Sequence, residues 1–340
     1  NKLFEALSTS DTPVLLAPAL NRKIIDGYAT GYEKFWTDIA SREVSDDFRT
    51  QEISRYEFDQ KAIPASNGGE KFIPGTLPRV AEGDEYPVLS VTATGLSWKV
   101  AKSGEQFALT WERIVNNRDL SELERALTAF GVHSAQTEDV EATRQYMVGT
   151  SAFGVTNALG SANLLGGVGT GVLNSTNIMA AYKQATAVKK NGRTINPRGG
   201  FNLIVDPSLV LSAEELLNDY EYQRGSDPKR LGPNPLRGKF TIVANEWQSA
   251  IDATNGATTW GIAPKPGALG EDEGIAVGFL RGHETPELSI KSSDRFGVNG
   301  ERIPGVSGDF DSDSFATRVR HTATGIKKGL AGWVFSNGTV

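Results

Sequence analysis

The chain has 340 residues, with 37 glycines, no cysteine, 39% apolar residues, and 35 Lys and Arg against 41 Asp and Glu for a formal net charge of −6. That length supports one large or two ordinary domains, the glycine content argues for many turns over a helical bundle, and the lack of cysteine excludes disulfides, thiolate metal sites and cysteine nucleophiles. The acidic balance runs against a dedicated nucleic-acid binder, and no apolar run approaches the ~18 residues of a membrane helix.

The first residues, Asn1-Lys2-Leu3-Phe4-Glu5, lack the basic and apolar regions of a signal peptide. A start other than Met fits a processed product or a shortened chain. Ile24, Ile25, Tyr28, Tyr32, Phe35, Trp36 and Ile39 recur at helical spacing, interrupted by Gly27 and Gly31. They predict an arm helix, which could equally be an ordinary amphipathic surface helix. Phe48 to Phe58 is strand-like but charged, and a long run of turn chemistry follows through Glu82-Gly83-Asp84. Strands are expected at 88–94 and 96–102, where Leu96, Trp98 and Val100 alternate with smaller or polar residues. Such a two-stranded excursion is marginal alone and needs a surface to lie on.

Residues 119–148 are the most helical part. Ser121 and Glu124 fit a capping box. Leu120, Leu123, Leu127 and Phe130 share a face, Gly131 is expected to end the first helix, and a second runs from about Ser134 to Val148. Residues 149–174 are small and Gly-rich and read as a linker. A compact α/β lobe is expected from 175 to 284. In it Ser175 caps a helix, Phe201–Val205, Thr241–Ala244 and Gly274–Leu280 are strands, and Asp206-Pro207 opens a second helix. Strands return at 287–291, 315–321 and 333–335, with an Asn299-Gly300 turn between the first two and a basic Gly-rich turn between the last two.

Candidate chemistry is sparse. Gly166–Gly171 is neither a P-loop nor a dinucleotide fingerprint. Asp309, Asp311 and Asp313 have calcium-loop spacing, but Ser314 and Arg320 stand where Gly and Glu are needed. His133, His283 and His321 belong to no catalytic motif. Lys189-Lys190, Lys229-Arg230 and Lys327-Lys328 read as solvated faces. The expectation is a non-enzyme with no catalytic residue, no metal and no cofactor. A hydrolase without a recognisable motif and a β-rich tail or adhesion protein are the alternatives from other classes.

Three segments carry a resemblance. Phe35-Trp36-Thr37-Asp38-Ile39-Ala40 with Val44 and Phe48 comes first, and Leu77-Pro78-Arg79-Val80-Ala81-Glu82-Gly83-Asp84-Glu85 second. The third is Phe107-Ala108-Leu109-Thr110-Trp111-Glu112-Arg113-Ile114-Val115-Asn116-Asn117-Arg118-Asp119-Leu120. In this order they resemble tailed-bacteriophage major capsid proteins of the Hong Kong 97-type fold, with the Mu-type major head subunit branch nearest in pattern. The ending, Phe315 to His321 and Gly332 to Gly338, resembles that family's returning strand pair.

The resemblance implies an α+β fold. It assigns an N-terminal arm to 1–47, an extended loop (E-loop) to 48–106, the first part of a peripheral domain with its spine helix to 107–165, an α/β axial domain to 166–284 and the peripheral return to 285–340. It implies a head protein that assembles into pentamers and hexamers, forming an icosahedral shell around double-stranded DNA without sequence-specific binding. The implied partners are copies of itself, a portal, and decoration or scaffold proteins, with no membrane. The location is the virion, assembled in the bacterial cytoplasm. Inter-subunit contacts are expected at Phe35, Trp36, Phe48, Phe72, Leu77, Trp98, Trp333 and Asn337. Some relatives cross-link Lys to Asn, which makes Lys61 and Lys71 candidate donors and Asn299 and Asn337 candidate acceptors. An encapsulin-type nanocompartment is the runner-up, told apart by protein cargo in place of DNA.

Overall fold

A computed structural model describes residues 12–59, 77, 80, 82–83, 85–86, 90–110, 120–147, 171–190, 193–194, 199–219, 221–223, 231–270, 273–291, 293, 296–300, 310–311 and 314–338. Residues 149–170 of the linker expected at 149–174, with Lys61, Phe72 and Lys71, lie outside these residues, as do Asp309 and Asp313.

The chain opens with helix α1, Thr12–Thr30, and the short helix α2, Trp36–Ile39, which leads directly into strand β1, Ala40–Ser45. Strands β2 (Gln51–Asp59) and β3 (Ser90–Trp98) form a two-stranded hairpin that joins no other sheet. Strand β4 is Lys102–Thr110, and helix α3 runs unbroken over Leu120–Thr143. Helix α4, Ser175–Ala187, is followed by the short ribbon β5 (Lys189–Lys190) and β6 (Arg193–Thr194). Then come β7 (Phe201–Val205), α5 (Val210–Asn218), the ribbon β8 (Glu221–Gln223) and β9 (Leu231–Pro233), β10 (Phe240–Ala244), α6 (Trp247–Ile251) and β11 (Trp260–Pro264). The remaining strands are β12 (Gly274–Leu280), β13 (Glu287–Ile290), β14 (Ser314–Thr322), β15 (Thr324–Gly329) and β16 (Val334–Ser336).

Three sheets organise the described residues. β1, β12 and β15 form the first, with β1 parallel to β12. The second has the order β10-β7-β11-β16. The third has the order β13-β14-β4 and lies against α1 and α3, whose Leu20, Ile24 and Leu127 pack on Val319. The second sheet is buried on both faces. Leu203, Val205, Trp260 and Ile262 meet α4 and α5, while Ile204, Ala263 and Phe335 turn to a central core shared with the first sheet, α2 and the end of α3. Burial on two sides explains why β7 and β11 are apolar without alternation, save Asn202, whose side chain donates to the Asp38 carbonyl.

Several expectations are corrected. Helix α3 does not stop at Gly131. A Cβ there would sit 2.2 Å from the Ile24 carbonyl oxygen, and one on Gly27 would sit 2.3 Å from the Thr128 carbonyl oxygen. Both glycines serve the close crossing of α1 and α3, and neither breaks its helix. Ser121 lies inside α3, which begins at Leu120. Asn174, not Ser175, caps α4, its side chain accepting from the Asn177 amide. Asp206 caps a short 3₁₀ turn, Pro207–Leu209, ahead of α5. The two strands expected at 88–94 and 96–102 are one strand, β3. The basic Gly-rich turn before Trp333 is the strand β15, paired with β12. The two segments expected to return as a strand pair separate: β14 joins the third sheet, and β16 closes the second beside β11.

The helix crossing gives a prediction whose sign is not obvious. Glycine to alanine inside a helix ordinarily gains about 1 kcal/mol. At Gly131 the new methyl meets backbone, which cannot swing aside, and overpacking costs typically 1–3 kcal/mol. Gly131→Ala is expected to lower the midpoint of denaturant unfolding. A midpoint raised by the substitution would mean that the two helices separate without cost.

Candidate functional site

The described residues contain no cluster of three His, Asp or Glu side chains able to hold a metal ion, and no helix long and apolar enough to cross a membrane. The features with functional geometry are two anchors, one fixing the N-terminal segment and one fixing the hairpin.

The first anchor is a buried carboxylate. Glu138, in the second half of α3, is fully buried, and it gathers groups from three other segments. Tyr28 at the end of α1 donates its hydroxyl to Oε1 at 2.6 Å, and the His321 ring Nε2 from β14 meets the same oxygen at 2.9 Å. Trp36 donates its indole N–H to Oε2 at 2.8 Å, and Lys34 Nζ lies 2.9 Å from that oxygen and over the Tyr28 ring. Burial works against the charge. The His321 hydrogen bond, the Lys34 ammonium and the Tyr28 hydroxyl outweigh it and hold the Glu138 carboxyl below its ordinary range. A carboxylate only accepts, so the His321 Nε2 carries a hydrogen. His321 also lines a cleft of about 160 Å³ with Ser103, Glu105, His133 and Ser134.

The next residue continues the anchor. Asp139 accepts the Trp36 backbone N–H at 2.9 Å. Burial dominates at this carboxyl and pushes it up to about 7, against the pull of the Trp36 amide and the Tyr32 hydroxyl. Burial also raises the Tyr28 and Tyr32 hydroxyls above their ordinary value. Tyr32 in turn accepts the Trp247 indole N–H at 3.0 Å and donates to Glu246 at 3.0 Å. One turn of α3 thus fastens residues 28–36 together with β14, and Tyr32 extends the link to α6.

The second anchor is the hairpin root. Trp98 and Val100, with Ile53 and Leu96, pack on Ala276, Leu280 and Ile326 of the first sheet. The Trp98 ring lies on Gly278, where a Cβ would come within 2.3 Å of it. The Ala101 amide donates to Thr324 Oγ1 at 2.6 Å. Before β2, Asp47 accepts from the Arg49 amide and the Gln51 side chain, each at 2.9 Å, and its carboxyl is held low by hydrogen bonding to Arg49. Arg281 pairs with Asp46 at 2.6 Å. The hairpin therefore leaves a fixed base.

The residues expected at inter-subunit contacts divide by exposure. Trp36, Trp98 and Trp333 are core residues of the chain, their rings already covered by its own side chains. Phe35 is partly buried against the central core. Phe48 and Leu77 are exposed, at 44% and 89%. Asn299 is exposed on the turn closed by the Gly300 amide donating to the Gly297 carbonyl, and the Asn337 carbonyl accepts from Thr258 Oγ1. The Lys327-Lys328 pair is a solvated face only at Lys327, which is exposed. Lys328 is buried, with Nζ on Glu43 and on Ser41 of β1, and burial lowers the Lys327 pKa. Sequence reading missed the Glu138 anchor altogether. The one available signal was the adjacent Glu138-Asp139 pair within a helix.

Comparison with known proteins places the chain. Solved structures similar to it include a virus-like particle from Pyrococcus furiosus, at 12% identity over 94% of this chain and 99% of the other, with a TM-score of 0.47. The cyanophage Pam1 capsid is similar at 14% identity over 88% of each chain, with a TM-score of 0.49. The mature capsid of bacteriophage PhiM1 is similar at 15% identity over 90% of this chain and 87% of the other, with a TM-score of 0.47. No curated protein matches. The family described as phage capsid protein matches residues 94–333, well over half of the chain, and the chain belongs to that family.

Proposed function

We propose that this chain is the major head subunit of a tailed phage. It assembles into pentamers and hexamers that tile an icosahedral shell around double-stranded DNA. The observation that carries the reading is the family match over 94–333. The isolated β2–β3 hairpin supports it, because a two-stranded ribbon is marginal in water unless another surface covers it. In this reading β2–β3 is the E-loop of a Hong Kong 97-type subunit and lies across the adjacent copy. Helix α3 with the third sheet is the peripheral domain, and the lobe around the second sheet is the axial domain that meets its neighbours around each capsomer axis. The segments 35–48 and 77–85 favour the Mu-type branch.

The role is structural. A net charge of −6 suits a wall that encloses DNA without gripping it. A portal, scaffold and decoration proteins are the partners this role implies, the virion is its location and the bacterial cytoplasm its place of assembly. Obligate contacts of ~2,000 Å² or more per subunit would hold such a shell. The test is electron microscopy of the purified protein, alone and with its cognate scaffold. Closed polyhedral shells, or rings of five and six, are expected. Monomers under both conditions would overturn the reading, and shells filled with a protein cargo would turn it to a nanocompartment.

A further inference from the structure

Asn-Gly pairs begin at Asn67, Asn191, Asn255, Asn299 and Asn337, and the last three lie among the described residues. The pairing has chemical consequences, because the side-chain carbonyl carbon of an asparagine can close a five-membered ring with the backbone nitrogen that follows it. A side chain on the following residue would crowd that nitrogen, and glycine has none. The fold then decides whether the nitrogen can react, through its hydrogen bond and the space around it.

Two of the three pairs are locked. The Gly256 amide donates to the Asp252 carbonyl at 2.8 Å, and a Cβ on Gly256 would sit 2.1 Å from the Gln248 carbonyl oxygen. The Asn255 amide donates to Asp252 at 3.2 Å, and its carbonyl accepts from the amides and hydroxyls of Thr258 and Thr259. The Gly338 amide donates to Ser336 Oγ at 3.1 Å, and a Cβ there would sit 2.0 Å from the Thr258 carbonyl oxygen. The Asn337 carbonyl accepts from Thr258 Oγ1. Gly256 and Gly338 are both buried, so their nitrogens meet the asparagine side chain only after several contacts open together.

Asn299 differs in each respect. It is exposed, as is Gly300, and a Cβ on Gly300 would meet nothing within 4 Å. Among the described residues one turn hydrogen bond holds the Gly300 nitrogen, to the Gly297 carbonyl at 2.8 Å. A lone exposed bond of this kind opens at little cost.

We infer that Asn299 is a site of spontaneous deamidation, with water as the co-reactant. The Gly300 nitrogen gives up its hydrogen to solvent and bonds to Cγ of Asn299. The Cγ–Nδ2 bond breaks, and the side-chain nitrogen takes up a proton and leaves as ammonia. Water then opens the succinimide ring, at Cγ to give aspartate or at the backbone carbonyl to give isoaspartate, which adds a methylene to the main chain. The open space around Gly300 accommodates either product. Each event takes the formal net charge from −6 to −7 and sets a carboxylate beside the exposed Val298 and Phe296. The reaction needs neither a lysine nor a second copy, so it does not rest on the shell reading.

The test is incubation of the full chain at mildly alkaline pH, folded and in urea, with peptide mass mapping and isoaspartyl methyltransferase labelling of each Asn-Gly peptide. In the folded chain Asn299 is expected to convert at least roughly tenfold faster than Asn255 and Asn337, and in urea the three are expected to agree within about threefold. Asn299→Gln is expected to abolish the fast product, because its longer side chain must close a six-membered ring. Folded protein in which Asn299 reacts no faster than the other two would overturn the inference. So would a difference that persists unchanged in urea, since the neighbouring sequence and not the fold would then set the rate.

Discussion

Glu138→Ala is expected to lower the unfolding free energy by about 3–5 kcal/mol, the usual consequence of removing one partner from a buried, hydrogen-bonded ion pair. Four donors from distant parts of the chain lose their acceptor at once: the Tyr28 hydroxyl, the Trp36 indole, the Lys34 ammonium and the His321 ring. The Tyr28 hydroxyl keeps only the Glu284 carbonyl at 3.4 Å, and the neighbouring Asp139 spends one carboxylate oxygen on the Trp36 amide. Denaturant unfolding at pH 7 gives the magnitude, and limited proteolysis shows whether the segment before β1 comes loose first. The pH dependence supplies a check. Glu138 has a folded pKa below its unfolded value, so its contribution is complete above the ordinary carboxylate pKa of about 4.3 and is lost as pH falls through the lower folded value. The gap between wild type and variant should therefore narrow in acid. A loss under 1 kcal/mol at pH 7 would show that the cluster rearranges around another acceptor.

Trp98→Ala should have a comparable effect, about 3–5 kcal/mol, through a different mechanism. The indole is the largest side chain at the hairpin root and fills the space over Gly278, beside Ile326. Its removal leaves a cavity bounded by two strands of the first sheet that cannot close on it, since β1 and β15 hold β12 from both sides. The root is also what directs the hairpin. A protease should therefore cut the β2–β3 ribbon faster in the variant, at a denaturant concentration where the rest of the chain stays folded. Phe at this position should recover part of the loss by filling part of the space. Equal cleavage in wild type and variant would mean that the Asp47 turn and the Ala101–Thr324 hydrogen bond direct the hairpin without the ring.

What was legible in the sequence follows from how locally each element is determined. Phe201–Val205 and Gly274–Leu280 were readable because burial on both sides leaves an almost wholly apolar run, broken in the first only by Asn202. Asp206-Pro207 was readable as a helical start because capping involves only neighbouring residues, although the first turn proved to be 3₁₀. Gly131 misled because its cause lies about a hundred residues away, in the backbone of α1. β15 was hidden because Lys327-Lys328 looks solvated, and the residue that makes a buried lysine tolerable, Glu43, belongs to β1. The Glu138 anchor was invisible for the same reason, since its partners come from residues 28, 34, 36 and 321 with no spacing to betray them. Exposure was no more legible than pairing. Trp98 and Leu77 look alike as candidates for contact, and only the fold separates a covered indole from a bare leucine.

The parallel pairing of β1 with β12 has a consequence in time. Ala40 waits for Ile275, its partner across the ladder. At bacterial and eukaryotic synthesis rates of about 5–20 residues per second, that interval lasts from roughly ten seconds to most of a minute. β12 is itself flanked on its other side by β15, and the second sheet gains its last strand only with Val334–Ser336. The nascent chain thus leaves the ribosome with the slot for its own N-terminal strand unmade and the edge of β11 uncovered. Subunit completion waits for Val334–Ser336, so a chain not yet made that far carries open strand edges and cannot nucleate a particle ahead of time.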